Sequence, residues 1–173
     1  MMMFFYRPWL LAGAFLAIAF ECNAQAPQRT TATYEDWTVR CEMMLGPPAQ
    51  KTCEMVQTTT LQGQPNLVTL IAIGRATKAD PIKIVFQVPV NLWLAGGVSL
   101  VYDEKQPGLS AAFLRCLPVG CFAEATLADD AVKKLRARTE AGRLEFKDAA
   151  QRNVTIPVSF KGFGQAFDSL AKE

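Results

Sequence analysis

The sequence contains no histidine among its 173 residues. Histidine is the most frequent general base and a common ligand of zinc and haem. Its absence therefore excludes histidine-dependent serine and cysteine triads, most zinc sites and the usual haem sites. The motifs G-x-x-x-x-G-K-[ST], G-x-G-x-x-G and G-x-S-x-G are also missing. We therefore predict no cofactor and no metal site, and only Ser–Lys, carboxylate, Tyr or Arg chemistry would remain for an enzyme.

The chain also lacks a large excess of either positive or negative charge. The chain has 18 basic and 16 acidic residues, for a net charge of +2, and it has no long charged run and no basic tail. Nucleic-acid-binding domains usually carry a concentrated basic surface. The composition therefore predicts that the partner is not a nucleic acid.

The N-terminal segment has the form of a secretory signal peptide. The uncharged run from Trp9 to Phe20 follows Arg7, and it is too short to cross a bilayer of about 30 Å. Small residues at Cys22 and Ala24 permit cleavage before Gln25. Three alternatives stay open: cleavage after Ala26, a lipid anchor on Cys22, and an uncleaved N-terminal helix.

This interpretation sets the predicted organisation of the chain. Residues 1–24 are a cleaved signal peptide, residues 25–33 a flexible lead-in, and residues 34–173 a single β domain. The predicted location is the periplasm, with outer-membrane association or secretion as alternatives. The mature chain is expected to have no transmembrane span.

Removal of the signal peptide leaves four cysteines, which are Cys41, Cys53, Cys116 and Cys121. In an oxidising compartment an even set of cysteines predicts disulfides, and four cysteines allow three pairings. The local pairs Cys41–Cys53 and Cys116–Cys121 are favoured because short loops close most readily. Each bond would contribute about 2 to 3 kcal/mol. A redox-active pair is disfavoured because neither spacing is C-x-x-C.

Alternation of apolar and polar residues predicts a mainly β, antiparallel sandwich-like fold of about nine strands. Trp37, Val39 and Cys41 share one strand face, and a turn at Gly46-Pro47-Pro48 leads back to Cys53. The predicted strands cover residues 34–42, 53–55, 67–73, 82–88, 98–103, 109–116, 121–127, 143–147 and 153–160.

Two helices interrupt the strand pattern. A surface helix is predicted to begin with Asp129 as its N-cap, with Val132 and Leu135 forming a narrow apolar stripe. A C-terminal helix is predicted from about Gly164, where Phe167 and Leu170 lie at helical spacing.

Two segments are candidates for an interaction patch. The first is the apolar run Leu92-Trp93-Leu94, which would be either an exposed contact loop or a part of the core or sheet edge. The second is a basic cluster, which would either meet an anionic surface or form a solvated helix face. The basic candidates are Lys133, Lys134 and Arg136.

Several ordered motifs resemble the invasion-associated locus B family of exported bacterial proteins. They span about residues 34–170 and include both cysteine pairs. The matching segments are Asp36-Trp37-Thr38-Val39-Arg40-Cys41-Glu42, Cys53-Glu54-Met55-Val56-Gln57, Val88-Pro89-Val90, Gly97-Val98-Ser99-Leu100, Tyr102-Asp103, Cys116-Leu117-Pro118-Val119-Gly120-Cys121 and residues 156–163. The resemblance implies a periplasmic, surface-associated or secreted protein of a Gram-negative bacterium, with a virulence-type role in host-cell entry. It implies no catalytic residues.

Three functional hypotheses follow in order of preference. The first is a non-enzymatic binding protein, whose partner would be a protein, glycan or lipid of the bacterial envelope or host surface. The second is a periplasmic hydrolase or cell-wall-modifying enzyme, which a concave site with convergent polar groups would favour. The third is a structural or stress factor of the envelope.

Overall fold

The computed structural model describes residues 29–44, 49–61 and 64–173. The predicted signal peptide and the turn at Gly46-Pro47-Pro48 lie outside these ranges. Within them the chain forms two α-helices, a short 3-10 helix at Leu94–Gly96, and eleven strands. The strands are β1 (Arg29–Tyr34), β2 (Trp37–Met44), β3 (Gln50–Leu61), β4 (Gln64–Gly74), β5 (Lys83–Val88), β6 (Val98–Val101), β7 (Leu109–Ala111), β8 (Phe113–Leu117), β9 (Gly120–Thr126), β10 (Gly142–Lys147) and β11 (Asn153–Val158).

The strands form two antiparallel sheets. The large sheet has seven strands in the order β1-β2-β3-β4-β5-β9-β8, and the small sheet has four in the order β11-β10-β6-β7. Most neighbours are consecutive in the chain and are joined as hairpins, which fits the regular turn signals of the sequence. The predicted mainly β, antiparallel fold is confirmed.

The core lies where apolar side chains of both sheets meet. In the small sheet Leu144 and Phe146 point inward while Arg143, Glu145 and Lys147 alternate with them on the outer face. The large sheet contributes fully buried side chains to the same cluster, and both helices add theirs. Among these are Trp37, Met55, Ile73, Ile84, Phe86, Leu135 and Phe163.

The predicted flexible lead-in and one predicted strand need correction. Residues 29–33, predicted as a flexible lead-in, belong to β1, which pairs with β2 along its whole length. The predicted strand 109–116 is two strands, because the chain passes from one sheet to the other at Ala112. Ala111 pairs with Val98 in the small sheet, whereas Phe113 pairs with Ala123 in the large sheet.

The helices are α1 (Asp129–Arg136) and α2 (Phe163–Lys172). Ala128, and not Asp129, is the N-cap of α1, so the predicted cap is wrong. Asp129 lies inside the first turn, where its negative charge interacts favourably with the helix dipole. The predicted apolar stripe of α1 is confirmed, since Val132 and Leu135 are buried. In α2, Phe163 packs edge-on against Trp37 with ring centroids 5.1 Å apart. No helix of the described ranges is long and apolar enough to cross a membrane.

Candidate functional site

Both predicted disulfides are present. Cys41–Cys53 joins directly opposed positions of β2 and β3, and both cysteines are buried. Cys116–Cys121 closes the β8–β9 hairpin, with Cys116 exposed and Cys121 buried. The Glu173 carboxylate lies near Cys41 and Cys53 in a metal-like grouping. Those sulfurs are bonded to each other, however, and a zinc site needs thiolates.

The apolar run around Trp93 is a fixed surface turn. Trp93 is 41% exposed and Leu94 is 55% exposed, whereas Leu92 is half-buried and packs against the core. The backbone N–H of Trp93 donates to the backbone carbonyl oxygen of Lys147 at 2.9 Å, and Leu92 forms a β-bridge with Asp148. Core packing therefore accounts for Leu92 alone, and the other two side chains face solvent.

The turn that supports this run is organised by Asp148. Its Oδ1 accepts from the N–H groups of Ala150 and Arg152 at 2.9 Å each, and its Oδ2 accepts from the Arg152 guanidinium at 2.7 Å. These bonds, above all the one from the Arg152 side chain, lower the pKa of Asp148. The Ala149 N–H also donates to Asn91 O at 3.1 Å, so the turn and the Trp93 run are held together.

The basic candidates lie on the exposed side of α1, and two of them have partners. Lys134 Nζ donates to Gln106 Oε1 at 2.8 Å. Arg136 bonds Asp168 of α2 at 2.7 Å, lies over the Phe167 ring, and lowers the pKa of Asp168. The contacts of Arg136 thus join the two helices.

The structure does not bring the two candidate segments together. Trp93 contacts Lys147 at the end of β10, where β10 leads toward β11. Lys134 contacts Gln106 in the turn that follows β6, and that end of β6 pairs with Arg143 at the start of β10. The apolar run and the basic cluster therefore lie at opposite ends of the small sheet.

Sequence reasoning missed a polar groove on the outer face of the small sheet. One row of directly paired residues crosses all four strands: Thr155, Glu145, Ser99 and Ser110. Lys147 and Asn153 pair in the next row. These side chains line a groove of about 280 Å³ with the backbone of Gly96 and Gly97 at its edge. The alternation within β10 and β11 was visible in the sequence, but the register between distant strands was not.

The carboxylate of the groove is held by an arginine. Arg143 Nε donates to Glu145 Oε1 at 2.5 Å, and Arg143 Nη1 donates to Glu104 Oε1 at 3.2 Å. The bond to Glu145 is the main reason why the pKa of Arg143 is raised. The guanidinium therefore stays charged and fixes the orientation of Glu145.

The described groove residues form neither a Ser–Lys hydrogen bond nor a carboxylic acid enclosed in an apolar pocket. Ser110 Oγ donates to Ser99 Oγ at 3.3 Å, and in the described part of the chain neither serine is hydrogen-bonded to a lysine. A glycosidase acid holds its proton in an apolar pocket. The side chains of Glu145 and Glu104 are 42% and 83% exposed. The arrangement suits reversible hydrogen bonding to a ligand.

A disulfide-bonded β protein of two antiparallel sheets is the class that the fold and the cysteine pairs define. The model of the family described as Invasion associated locus B (IalB) protein matches residues 37–171. The chain is 31% identical over 170 residues to an invasion protein B homolog of Brucella abortus biovar 1 (strain 9-941), which covers 95% of each chain. This protein therefore belongs to the invasion-associated locus B family, as its motifs predicted.

The fold has a solved counterpart. The crystal structure of invasion associated protein B from Bartonella henselae matches with a TM-score of 0.70 and 21% identity, over 83% of this chain and 95% of that chain. At this identity the likeness concerns the fold, and it supports the two-sheet architecture described above.

Proposed function

We propose that this protein is exported and acts as a non-enzymatic binding protein at the bacterial envelope or outside the cell, in an invasion-associated role. Two disulfides support export, because such bonds form and persist in oxidising compartments. Membership of the invasion-associated locus B family supports the biological role.

The exposed pair Trp93 and Leu94 is the observation that carries the binding role. Exposing large apolar side chains to water costs free energy, which a partner would recover by covering them. Tryptophan is also enriched among the residues that contribute most to the binding energy of protein interfaces. The Trp93 turn is held by backbone bonds to Lys147 and to the Asp148 turn. A partner would therefore meet a surface that needs little ordering.

The test is binding of the oxidised, fluorescently labelled mature protein to cultured host cells by flow cytometry. Trp93→Ala should weaken binding by about tenfold or more, while the thermal midpoint stays almost unchanged because Trp93 lies outside the core. Leu114→Ala is the matched control, since Leu114 is also an exposed apolar residue but lies on β8. A large stability loss with binding intact would remove Trp93 from the interaction surface.

Export has its own test. Fractionation of the producing bacterium, followed by mass spectrometry of the protein's N-terminus, should recover a chain that begins at Gln25 from the periplasm, outer membrane or medium. Recovery of the uncleaved chain from the cytoplasm would contradict export.

The polar groove supports the hydrolase as a second candidate function, because it gathers hydroxyl, carboxylate and amine groups in one concavity. Incubation of the protein with purified peptidoglycan, followed by chromatography of soluble fragments, separates the two functions. Fragments produced by the wild type but not by Glu145→Gln would favour the enzyme over the binding protein.

A role as an envelope factor would instead appear as an envelope defect of a deletion strain grown without host cells.

A further inference from the structure

We propose that the outer face of the small sheet binds a neutral saccharide chain, with Glu145, Ser99, Ser110 and Thr155 as its hydrogen-bonding floor. The inference rests on the binding role proposed above and names the chemical class of the ligand. It concerns the groove between the Gly96-Gly97 segment and β11.

The composition of the floor matches a polyhydroxylated ligand. Each hydroxyl of Ser99, Ser110 and Thr155 both donates and accepts a hydrogen bond, and a carboxylate accepts only. Sugar hydroxyls likewise donate and accept, so every group of the row finds a complement along such a chain. The row crosses three strand spacings and therefore extends for about 14 Å, which is the scale of a short oligosaccharide and exceeds a single sugar.

Glu145 is presented to the groove in a fixed orientation. Arg143 engages its Oε1, and within the described chain no hydrogen bond to its Oε2 is present. A carboxylate fixed on one side is well placed to accept from two neighbouring hydroxyls of a sugar ring, and hydrogen bonds to a charged acceptor are the stronger kind.

Trp93 lies beside Gly96, which is one of the residues that line the groove. A Cβ on Gly96 would lie 3.2 Å from Trp93 Cδ1 and 3.9 Å from Lys147 Cδ. The Trp93 indole and the Lys147 side chain therefore flank Gly96 at that edge of the groove. The indole is partly exposed, and an aromatic face can cover the apolar C–H face of a sugar ring. Binding pockets typically combine such an apolar wall with a few placed polar groups.

The charges around the floor favour a neutral ligand. Arg143 and Lys147 provide two positive charges, and Glu104 and Glu145 provide two negative charges, which balance. An anionic chain would meet Glu145, and a cationic chain would meet Lys147. A lipid chain would find no continuous apolar surface along the hydroxyl row.

The test is a glycan array that carries neutral, sialylated and sulfated oligosaccharides, probed with the oxidised mature protein. We expect binding to neutral glycans, reduced about tenfold or more by Glu145→Gln and reduced by Ser110→Ala, which removes an exposed hydroxyl and its bond to Ser99 Oγ. Glu124→Gln is the matched control, because Glu124 forms a similar ion pair with Lys83 but lies on β9 of the large sheet. Thermal midpoints measured beside each variant show that the variants are folded.

Three results would overturn the proposal: no neutral glycan bound, binding to sialylated or sulfated glycans only, or neutral-glycan binding that Glu145→Gln and Ser110→Ala leave unchanged. Binding to untreated host cells separates this proposal from the binding role. If the array shows no neutral glycan bound while host cells bind the wild type and lose binding with Trp93→Ala, the saccharide proposal fails and the binding role stands. If untreated cells do not bind the protein either, the binding role fails.

Discussion

Gln57 is a buried polar residue that joins the two sheets. Its Nε2 donates to Ser159 O at 2.8 Å, and its Oε1 accepts from the Ser159 N–H at 3.0 Å. The Trp37 indole N–H donates to the same carbonyl at 3.0 Å. One side-chain amide thus satisfies a backbone donor and acceptor just beyond β11, where a change of partner would leave polar groups buried and unpaired.

We predict that Gln57→Leu lowers the free energy of unfolding by about 2 to 4 kcal/mol. The leucine fills a similar volume but removes all three hydrogen bonds of the amide, which join it to Ser159 N–H, Ser159 O and Asp36 O. The Ser159 N–H then has no partner, and each unsatisfied buried group costs about 1 to 3 kcal/mol. Urea denaturation should show a lower midpoint at an unchanged slope.

Gln50→Leu is the matched control for this prediction. Gln50 also donates from its side-chain amide to a backbone carbonyl, that of Ala76, but this bond is exposed. The control should change stability by less than about 0.5 kcal/mol. Equal losses in the two variants would show that burial of the Gln57 amide contributes nothing beyond an ordinary surface bond.

The role of Gln57 was not visible in the sequence. Alternation with Cys53 and Met55 places Gln57 on the inward face of β3, but glutamine is mostly an exposed residue and three threonines follow it, so its residue type gave no sign of burial. The contact partner, Ser159, lies 102 residues away. Trp37 differs, because its alternation with Val39 and Cys41 predicted an inward side chain, and all three are buried.

At the level of elements, α2 depends on a glycine at its N-terminus. Gly162 has φ of 77° and is the N-cap of the helix, and a Cβ there would overlap the backbone carbonyl of Tyr34. We predict that Gly162→Ala lowers the free energy of unfolding by at least about 2 kcal/mol, because it adds a left-handed backbone penalty to a clash with backbone. Thermal or urea unfolding measures the loss.

Gly164→Ala is the opposite case in the same helix. Nothing lies within 4 Å of a Cβ at Gly164, so alanine should raise the free energy of unfolding by about 0.5 to 1 kcal/mol through its higher helix propensity. A destabilising Gly164→Ala, or a neutral Gly162→Ala, would contradict the backbone assignment at the start of α2.

The two disulfide hairpins should respond differently to a reductant. Cys116 is exposed at the tip of β8–β9, whereas Cys41 of β2 and Cys53 of β3 are both buried in the core. We predict that Cys116–Cys121 is reduced first in the folded protein, since thiol–disulfide exchange needs access to a sulfur. Differential alkylation and peptide mapping would identify the free thiols, and simultaneous reduction of both pairs below the unfolding transition would contradict this order.

Strand β1 and the crossing between the sheets at Ala112 both differ from what the sequence predicted. Arg29-Thr30-Thr31-Ala32-Thr33 has no apolar alternation, because β1 is an edge strand that is almost wholly exposed and is held by backbone pairing with β2. The crossing at Ala112 was hidden because alternation continues through residues 109–116 while the partner strand changes. Local periodicity predicts a strand but contains no information on its partner.

At the level of the whole molecule, the groove is a product of topology. Its floor combines residues from β6, β7, β10 and β11, whose segments are separated in the sequence by β8, β9 and α1. Each segment alone shows only that a polar residue faces outward. The predicted patch therefore included Trp93, whose apolar neighbours drew attention, and omitted Glu145, whose importance depends on Arg143 and on its cross-strand neighbours.

Stability at acid pH is a property of the whole molecule that two carboxylates should influence. Arg152 lowers the pKa of Asp148, and Arg136 lowers the pKa of Asp168. A carboxyl group whose pKa is lower in the folded state stabilises that state at pH values above its unfolded pKa of about 3.9. This stabilisation is lost as the pH falls through the lower folded pKa. Asp168 is exposed and Asp148 is half-buried at the surface, so the effect of each is modest and screened by salt.

We predict that the free energy of unfolding is nearly constant from pH 7 to about pH 5 and falls below about pH 4. The double variant Asp148→Asn, Asp168→Asn should start less stable at pH 7 and lose less stability on acidification, because it lacks the two groups that must take up protons. Urea denaturation at several pH values, at low salt and in about 1 M NaCl, measures both slopes, and the difference between wild type and variant should shrink in high salt. Parallel curves for the two proteins at low salt would show that neither ion pair contributes. Because Asp148 also supports the Trp93 turn, a confirmed difference would predict weaker binding by that surface under acid conditions.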